Sequence, residues 1–303
     1  MVGAMAFLEC LASMIIDQPT NTLCYLRPFA KLAENQRIFP NPWTGVSTPL
    51  FIILAEVATL IRQKRNLSMP DSDARQTASI SDLDESITSN ATRFFRAALT
   101  HSTPPYANME ETKDIRTPLD HLACIDCVFR LIILLELTQI FPDIALGDNV
   151  YIRDETDLQR ESKRASLDLA IGVLRLISEL PKTSGTLTML TIPLVSAGSA
   201  LQSVESHRCD CKLESTSFSG LRKAVSELAN RPLPIAMWRE QVELRCEQLE
   251  RRIDLAPVRK MKEILQAVWR RADDLGSSGP STVQANVHWM DVMIEEKLET
   301  LLG

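Results

Sequence analysis

Glycine is scarce in this sequence, with 10 residues in 303. Sheet-rich chains need glycine repeatedly at turns with positive φ, so such an architecture is disfavoured. A basic excess is missing as well: the formal net charge is −6 and the pI about 5.4. Proteins that grip DNA carry Lys and Arg to displace counterions from phosphates, so this chain is not expected to bind specific DNA by itself. Long apolar runs are absent. A run such as Leu131 to Leu135 falls far short of the roughly 20 residues that a spanning helix needs. Residues 1–17 are apolar but lack a basic start and carry Glu9, unlike a secretory leader. A soluble, intracellular protein without membrane association is therefore expected. The cysteines, at 10, 24, 124, 127, 209, 211 and 246, are odd in number and scattered, which is not a disulfide framework.

Catalytic signatures are missing too. The sequence has no Gly-rich phosphate loop, no Gly-x-Ser-x-Gly turn and no His-Glu-x-x-His pair, and nothing in it proposes a nucleophile with its base. The expectation is a protein that is not an enzyme, with no catalytic, cofactor-binding, metal or DNA-binding residue in this chain. A helical ligand-binding or enzymatic domain without a recognisable active site is the alternative.

Apolar residues make up 45% of the chain, ordinary for a folded core, and abundant Leu, Ala, Glu and Arg favour helices. The predicted class is all-α. Apolar spacing of three and four places helices near 5–17, 49–65, 82–100, 118–141, 157–180, 187–206, 219–229, 239–253, 257–272 and 282–301. Two Thr-Pro pairs, Thr48-Pro49 and Thr117-Pro118, mark helix starts. The helix over 118–141 is apolar nearly all round and is expected to be the buried centre. Segments 66–90 and 101–117, polar and Pro-rich respectively, read as exposed loops. One domain is expected to span 1–303.

Three clusters carry residue types suited to chemistry. His121, Cys124 and Cys127 spread over roughly 120° of helical arc, and two of them are placed to share one metal. Because both cysteines lie in the most apolar helix, they are expected to be small core hydrophobes. His207, Cys209 and Cys211 offer three ligands where structural zinc takes four, usually with wider Cys spacing, so a polar loop is expected. The acidic groups Asp154, Glu155 and Asp157, and the pair Asp273 and Asp274, lack the Asp-Asp-x-x-Asp spacing with which isoprenoid synthases hold magnesium diphosphate. Aromatics at 5% are also thin for a pocket that guides a carbocation. These acids are expected to be loop or helix-end charges.

Four segments in order resemble one family. Residues 41–65, NPWTGVSTPLFIILAEVATLIRQKR, residues 134–144, LLELTQIFPDI, residues 176–201, LISELPKTSGTLTMLTIPLVSAGSAL, and the closing VWRR at 268–271 with VHWMDVMIEEKLETLLG at 287–303 resemble the fungal-specific transcription factor domain, the regulatory domain of zinc-cluster factors. In the closing segment the family usually has Gly-Trp where this chain has Lys297-Leu298, and a packing contact is expected there. The paired C-x2-C-x6-C zinc cluster of such factors does not occur in these residues, so the domain is expected to be N-terminally incomplete. The resemblance implies a nuclear regulator of metabolic or secondary-metabolite biosynthesis genes. It would work through contacts with transcription machinery or a DNA-binding subunit, with a homodimer possible and no cofactor.

Overall fold

The computed structural model describes residues 1–31, 37–68, 77–146, 154–202, 234–253, 256–277 and 286–300. Among these residues the chain forms ten α-helices, short 3-10 turns and no strand; two isolated bridges, Ile38 to Met109 and Asn41 to Gly45, are the nearest approach to a sheet. The fold is all-α. No described helix is long and apolar enough to cross a membrane.

The helices are α1 Val2–Ile15, α2 Thr48–Ser68, α3 Thr77–Thr100, α4 Leu119–Ile140, α5 Pro142–Leu146, α6 Glu155–Glu179, α7 Thr191–Ser199, α8 Ile235–Ile253, α9 Ala256–Ser277 and α10 Trp289–Glu295. The chain packs as two compact units, 1–133 and 134–303, within the span where a single domain was expected. The expected helix near 219–229 lies outside the described residues.

In the first unit α2 packs against α1 and α3. Its residues from Leu50 to Ile61 are all buried, so the amphipathic stripe that usually exposes one helix face to solvent is absent. Glu56 is the charged exception in this stretch, and Arg27 holds it with two contacts, Nε to Oε1 at 2.6 Å and Nη2 to Oε2 at 3.1 Å. A paired guanidinium is what makes a buried carboxylate tolerable. Phe51 of α2 meets Phe7 of α1, and its ring centroid lies 4.2 Å from that of Phe129 in α4.

Helix α3 begins at Thr77, ahead of the start expected near 82, so it takes in the latter part of the segment 66–90 that was also read as an exposed loop. The Ser, Thr and Asp content of that part masks a narrow apolar face that continues as Ile87, Ala91, Phe94, Phe95 and Ala98, all buried. Residues 101–117 hold no α-helix, only a 3-10 turn at Tyr106–Asn108. This stretch is not uniformly exposed: Met109 is buried with Val46 and Leu122, and its neighbours exchange two backbone hydrogen bonds with Ile38.

Helix α4 is buried through Val128, Phe129 and the run Leu131 to Leu135, as its all-round apolar sequence requires. It ends at Ile140, two residues before Pro142. Pro142 opens the short α5, because proline's missing N–H is harmless and its φ preset at a helix start.

In the second unit α7 is the hub. Every residue from Thr191 to Ser199 is buried, and α6, α8, α9 and α10 all pack on it. Its small residues permit this. A Cβ on Gly198 would lie 2.7 Å from Leu265 Cδ2 of α9 and 3.1 Å from Val242 Cγ1 of α8, so glycine lets both helices approach. The helix is shorter than the expected 187–206. A 3-10 turn at Gly185–Met189, capped by Ser184 accepting from the Thr186 amide at 3.2 Å, precedes it.

Candidate functional site

The closing segment and the two other resembling segments of the second unit converge on one buried cluster. Glu136 comes from LLELTQIFPDI, on α4. Its Oε2 lies 2.9 Å from His288 Nε2, and its Oε1 accepts from Trp289 Nε1 at 2.9 Å. Glu136, His288 and Trp289 are 2%, 2% and 0% exposed. The Nδ1 atom of His288 accepts from the Met290 amide at 3.2 Å, capping α10. A ring nitrogen that accepts carries no proton, so the proton sits on Nε2 and donates to Glu136. Two donors from adjacent residues thus grip one carboxylate. Burial alone would raise the Glu136 carboxyl; the His288 ring and the hydrogen bonds from it and from Trp289, with the Ser196 hydroxyl alongside, outweigh burial and hold it below its ordinary range.

Two further links join the same segments. Trp269, from VWRR on α9, donates its indole N–H to the Gly198 carbonyl of α7 at 2.8 Å. Gln202, just past α7, donates Nε2 to the Val287 carbonyl at 2.6 Å and accepts from the Val287 amide at 3.2 Å. Arg239 of α8 adds a third link: it donates to the Leu201 carbonyl at 3.0 Å, grips both oxygens of Asp273, and lies 5.3 Å from the Trp269 ring centroid.

The first resembling segment lies in the other unit and opens with a turn ahead of α2. Asn41 and Gly45 exchange two backbone hydrogen bonds at 2.8 Å, and the Asn41 side chain accepts from the Trp43 amide at 2.9 Å. Gly45 sits at φ 56°, where glycine is favoured. Asn41 also packs on Gly3, where an added Cβ would meet its side chain at 2.5 Å.

Lys297 is not the packing contact expected of it. It is exposed, at φ 55°, directly after the cap of α10. The Leu298 amide bonds to the Met293 carbonyl at 2.8 Å and the Lys297 amide to the Ile294 carbonyl at 3.2 Å. These two bonds define a Schellman cap, whose left-handed position is ordinarily glycine. The family's glycine there is explained by backbone conformation. Helix α10 accordingly ends at Glu295 instead of continuing to 301.

The sequence-derived clusters separate. Cys124 and Cys127 are half-buried and are not the core hydrophobes expected of them; Ile125 and Val128 beside them are fully buried. His207, Cys209 and Cys211 lie outside the described residues. Asp154 caps α6 by accepting from the Asp157 amide at 2.9 Å, and Asp157 pairs with Arg160. Asp273 is the partner of Arg239, whose hydrogen bond holds its carboxyl below its usual value. Among the described residues no three His, Cys, Asp or Glu side chains converge as a metal ion would require. An open depression of about 430 Å³, lined by Glu111, Lys113, Asp114, Ile115, Leu119 and Asp120 among others, gathers no nucleophile and base.

Glu136 and His288 were not singled out from the sequence. The available signals were a lone acid inside the most apolar helix and a histidine directly before a buried tryptophan. Trp269 and Trp289 are both buried.

No curated protein and no solved structure matches the chain. The fungal specific transcription factor domain matches over residues 1–303, and three of its four resembling segments are the ones that interlock around Glu136 and α7. The chain belongs to the fungal specific transcription factor domain family.

Proposed function

We propose that this chain is the regulatory domain of a nuclear transcription regulator controlling metabolic or secondary-metabolite biosynthesis genes. It acts by contact with other proteins rather than by chemistry. The observation that carries the reading is the interlocking of the family's segments: residues from α4, α7, α9 and α10 are joined by buried hydrogen bonds, an arrangement that maintains shape. The acidic balance and the lack of paired C-x2-C-x6-C spacing in 1–303 support a reading in which DNA recognition belongs to a separate module. That module is a DNA-binding subunit or segment whose output this domain modulates, with transcription machinery or a second copy of the chain as further partners.

Tethering tests this directly. The chain is fused to a heterologous DNA-binding domain beside a reporter gene in a fungal host, and reporter transcript is measured against the DNA-binding domain alone. A severalfold change in either direction is expected. Equal transcript from both, with the fusion present in the nucleus at equal abundance, would contradict the reading.

A further inference from the structure

Helix α1 has no polar face. Its buried side carries Gly3, Ala6, Phe7, Cys10, Leu11 and Met14 and packs on α2. The opposite side is apolar as well. At about 100° per residue, Met1 at its cap, Met5, Leu8, Ala12 and Ile15 fall on one stripe. Met1 and Leu8 are more than half exposed, Met5 over a third, and Ala12 and Ile15 partly so. Ile16, just past the helix, is 56% exposed. Glu9 is the one charged side chain of α1. It lies at the edge of the stripe, where Tyr25 Oη donates to it at 2.7 Å. A helix that is apolar all round is ordinarily buried or spans a membrane. The 14 residues of α1 make about 21 Å of helix, too short to span a hydrocarbon layer of about 30 Å.

The spacing points to another helix as the cover. Steps of four, three, four and three from Met1 to Ile15 are the seam of a helix pair, in which apolar residues recur every 3.5 positions on average. In such pairs the residues flanking the seam choose the partner by charge. Helix α1 has no Lys or Arg, and its single acid is engaged by Tyr25 of the same chain, so it carries nothing that selects an oppositely charged foreign helix. The seam instead matches its own reverse. Turned end for end about Leu8, it sets Leu8 against Leu8 of a second copy, Met1 against Ile15, and the long Met5 against the small Ala12. Large side chains facing small ones interdigitate.

Charge and area agree with that pairing. The first turn of α1 carries no acid, and a reversed copy brings its own exposed Asp17, just past its α1, to that end, where the helix dipole favours negative charge. Trp43, its ring 5.3 Å from that of Phe7, is half-exposed beside the helix, as is Tyr25; both residue types are enriched at protein interfaces. The exposed parts of Met1, Met5, Leu8 and Ile16 amount to on the order of 500 Å² per copy, so a pair covers about 1,000 Å², the lower bound of a specific interface. That modest area, with the two Glu9 carboxylates along one edge of the pair, makes the association reversible.

We propose that the outer stripe of α1 is the contact between two copies of this chain, which pair through antiparallel α1 helices about a two-fold axis at Leu8. This gives the regulatory reading one of its partners. Association is measured without any reporter, so the pairing and the regulatory reading fail separately.

The test is sedimentation velocity of the full chain under reducing conditions, from about 1 to about 200 µM, the range expected for an interface of this size. A reversible monomer–dimer equilibrium is expected. Leu8→Glu should weaken it at least a hundredfold and leave thermal unfolding of the dilute protein unchanged, because Leu8 is exposed. Met237→Glu, at an exposed apolar residue of α8, should leave the dimer intact. Should Leu8→Glu unfold, crosslinking under mild oxidation decides, with the wild type as background. Leu8→Cys should give a covalent dimer. So should Met5→Cys mixed with Ala12→Cys, whereas Met5→Cys alone should not. A monomer at the highest concentration, a dimer that Leu8→Glu spares or Met237→Glu dissolves, an open-ended assembly, or crosslinking of Met5→Cys alone would each overturn the proposal.

Discussion

The Leu298 amide bonds to the Met293 carbonyl at 2.8 Å across a residue, Lys297, held at φ 55°. A side chain in left-handed backbone costs roughly 1–2 kcal/mol relative to glycine. Lys297→Gly should therefore stabilise the protein by about 1 kcal/mol, after allowing for the greater freedom glycine has in the unfolded chain. Thermal denaturation of the two proteins checks it; a lower melting temperature for the glycine variant would count against the cap.

Glu136 gives the fold an acid-sensitive point. Its carboxyl is held below its ordinary value in the folded state, whereas in the unfolded chain it titrates near 4.3. A lowered folded value means the unfolded state binds the proton more readily. The stabilisation from this group is thus fully present above the unfolded pKa and is lost as pH falls through the folded one. Urea midpoints measured from pH 7 to pH 3 should fall more steeply for the wild type than for Glu136→Gln, and parallel curves would remove Glu136 from the account.

Gln202 holds both backbone groups of Val287 in a buried setting. Gln202→Ala leaves an amide and a carbonyl unsatisfied, at about 1–3 kcal/mol per group, so a loss of at least about 2 kcal/mol is expected by urea denaturation. Gln202→Glu should also destabilise, because a carboxylate cannot donate to the Val287 carbonyl. A neutral result for both variants would show that the bridge is dispensable.

Purified chain should not form a sequence-specific complex with DNA at physiological ionic strength. Fluorescence anisotropy with a pool of labelled duplexes checks this, and a salt-sensitive complex preferring one sequence would contradict it.

Helix existence was legible because burial repeats with the helical period: the apolar stripes of α8 at Trp238, Val242, Cys246 and Leu249 and of α9 at Val258, Met261, Leu265 and Val268 are all buried. What composition conceals is direction and distance. The high apolar content of α4 suggested core cysteines, yet the face carrying Cys124 and Cys127 is only partly covered. The polar start of α3 suggested a loop because its apolar face is narrow. The partners of Glu136 lie 152 and 153 residues away in sequence, so no local pattern announces them. The role of Lys297 depends on a backbone angle. Only the family's habitual glycine hinted at it.

The closing segment of this chain is a core element locked onto α4, and the stability of Trp289→Ala tests this most directly. Trp289 is fully buried and donates to Glu136, so truncation should cost about 3–5 kcal/mol out of the roughly 5–15 kcal/mol typical of a domain. Urea unfolding of the purified variant should show a midpoint far below that of the wild type, with regulatory output in the tethered assay falling alongside it. Wild-type stability combined with lost output would contradict the claim and make Trp289 a contact for a partner.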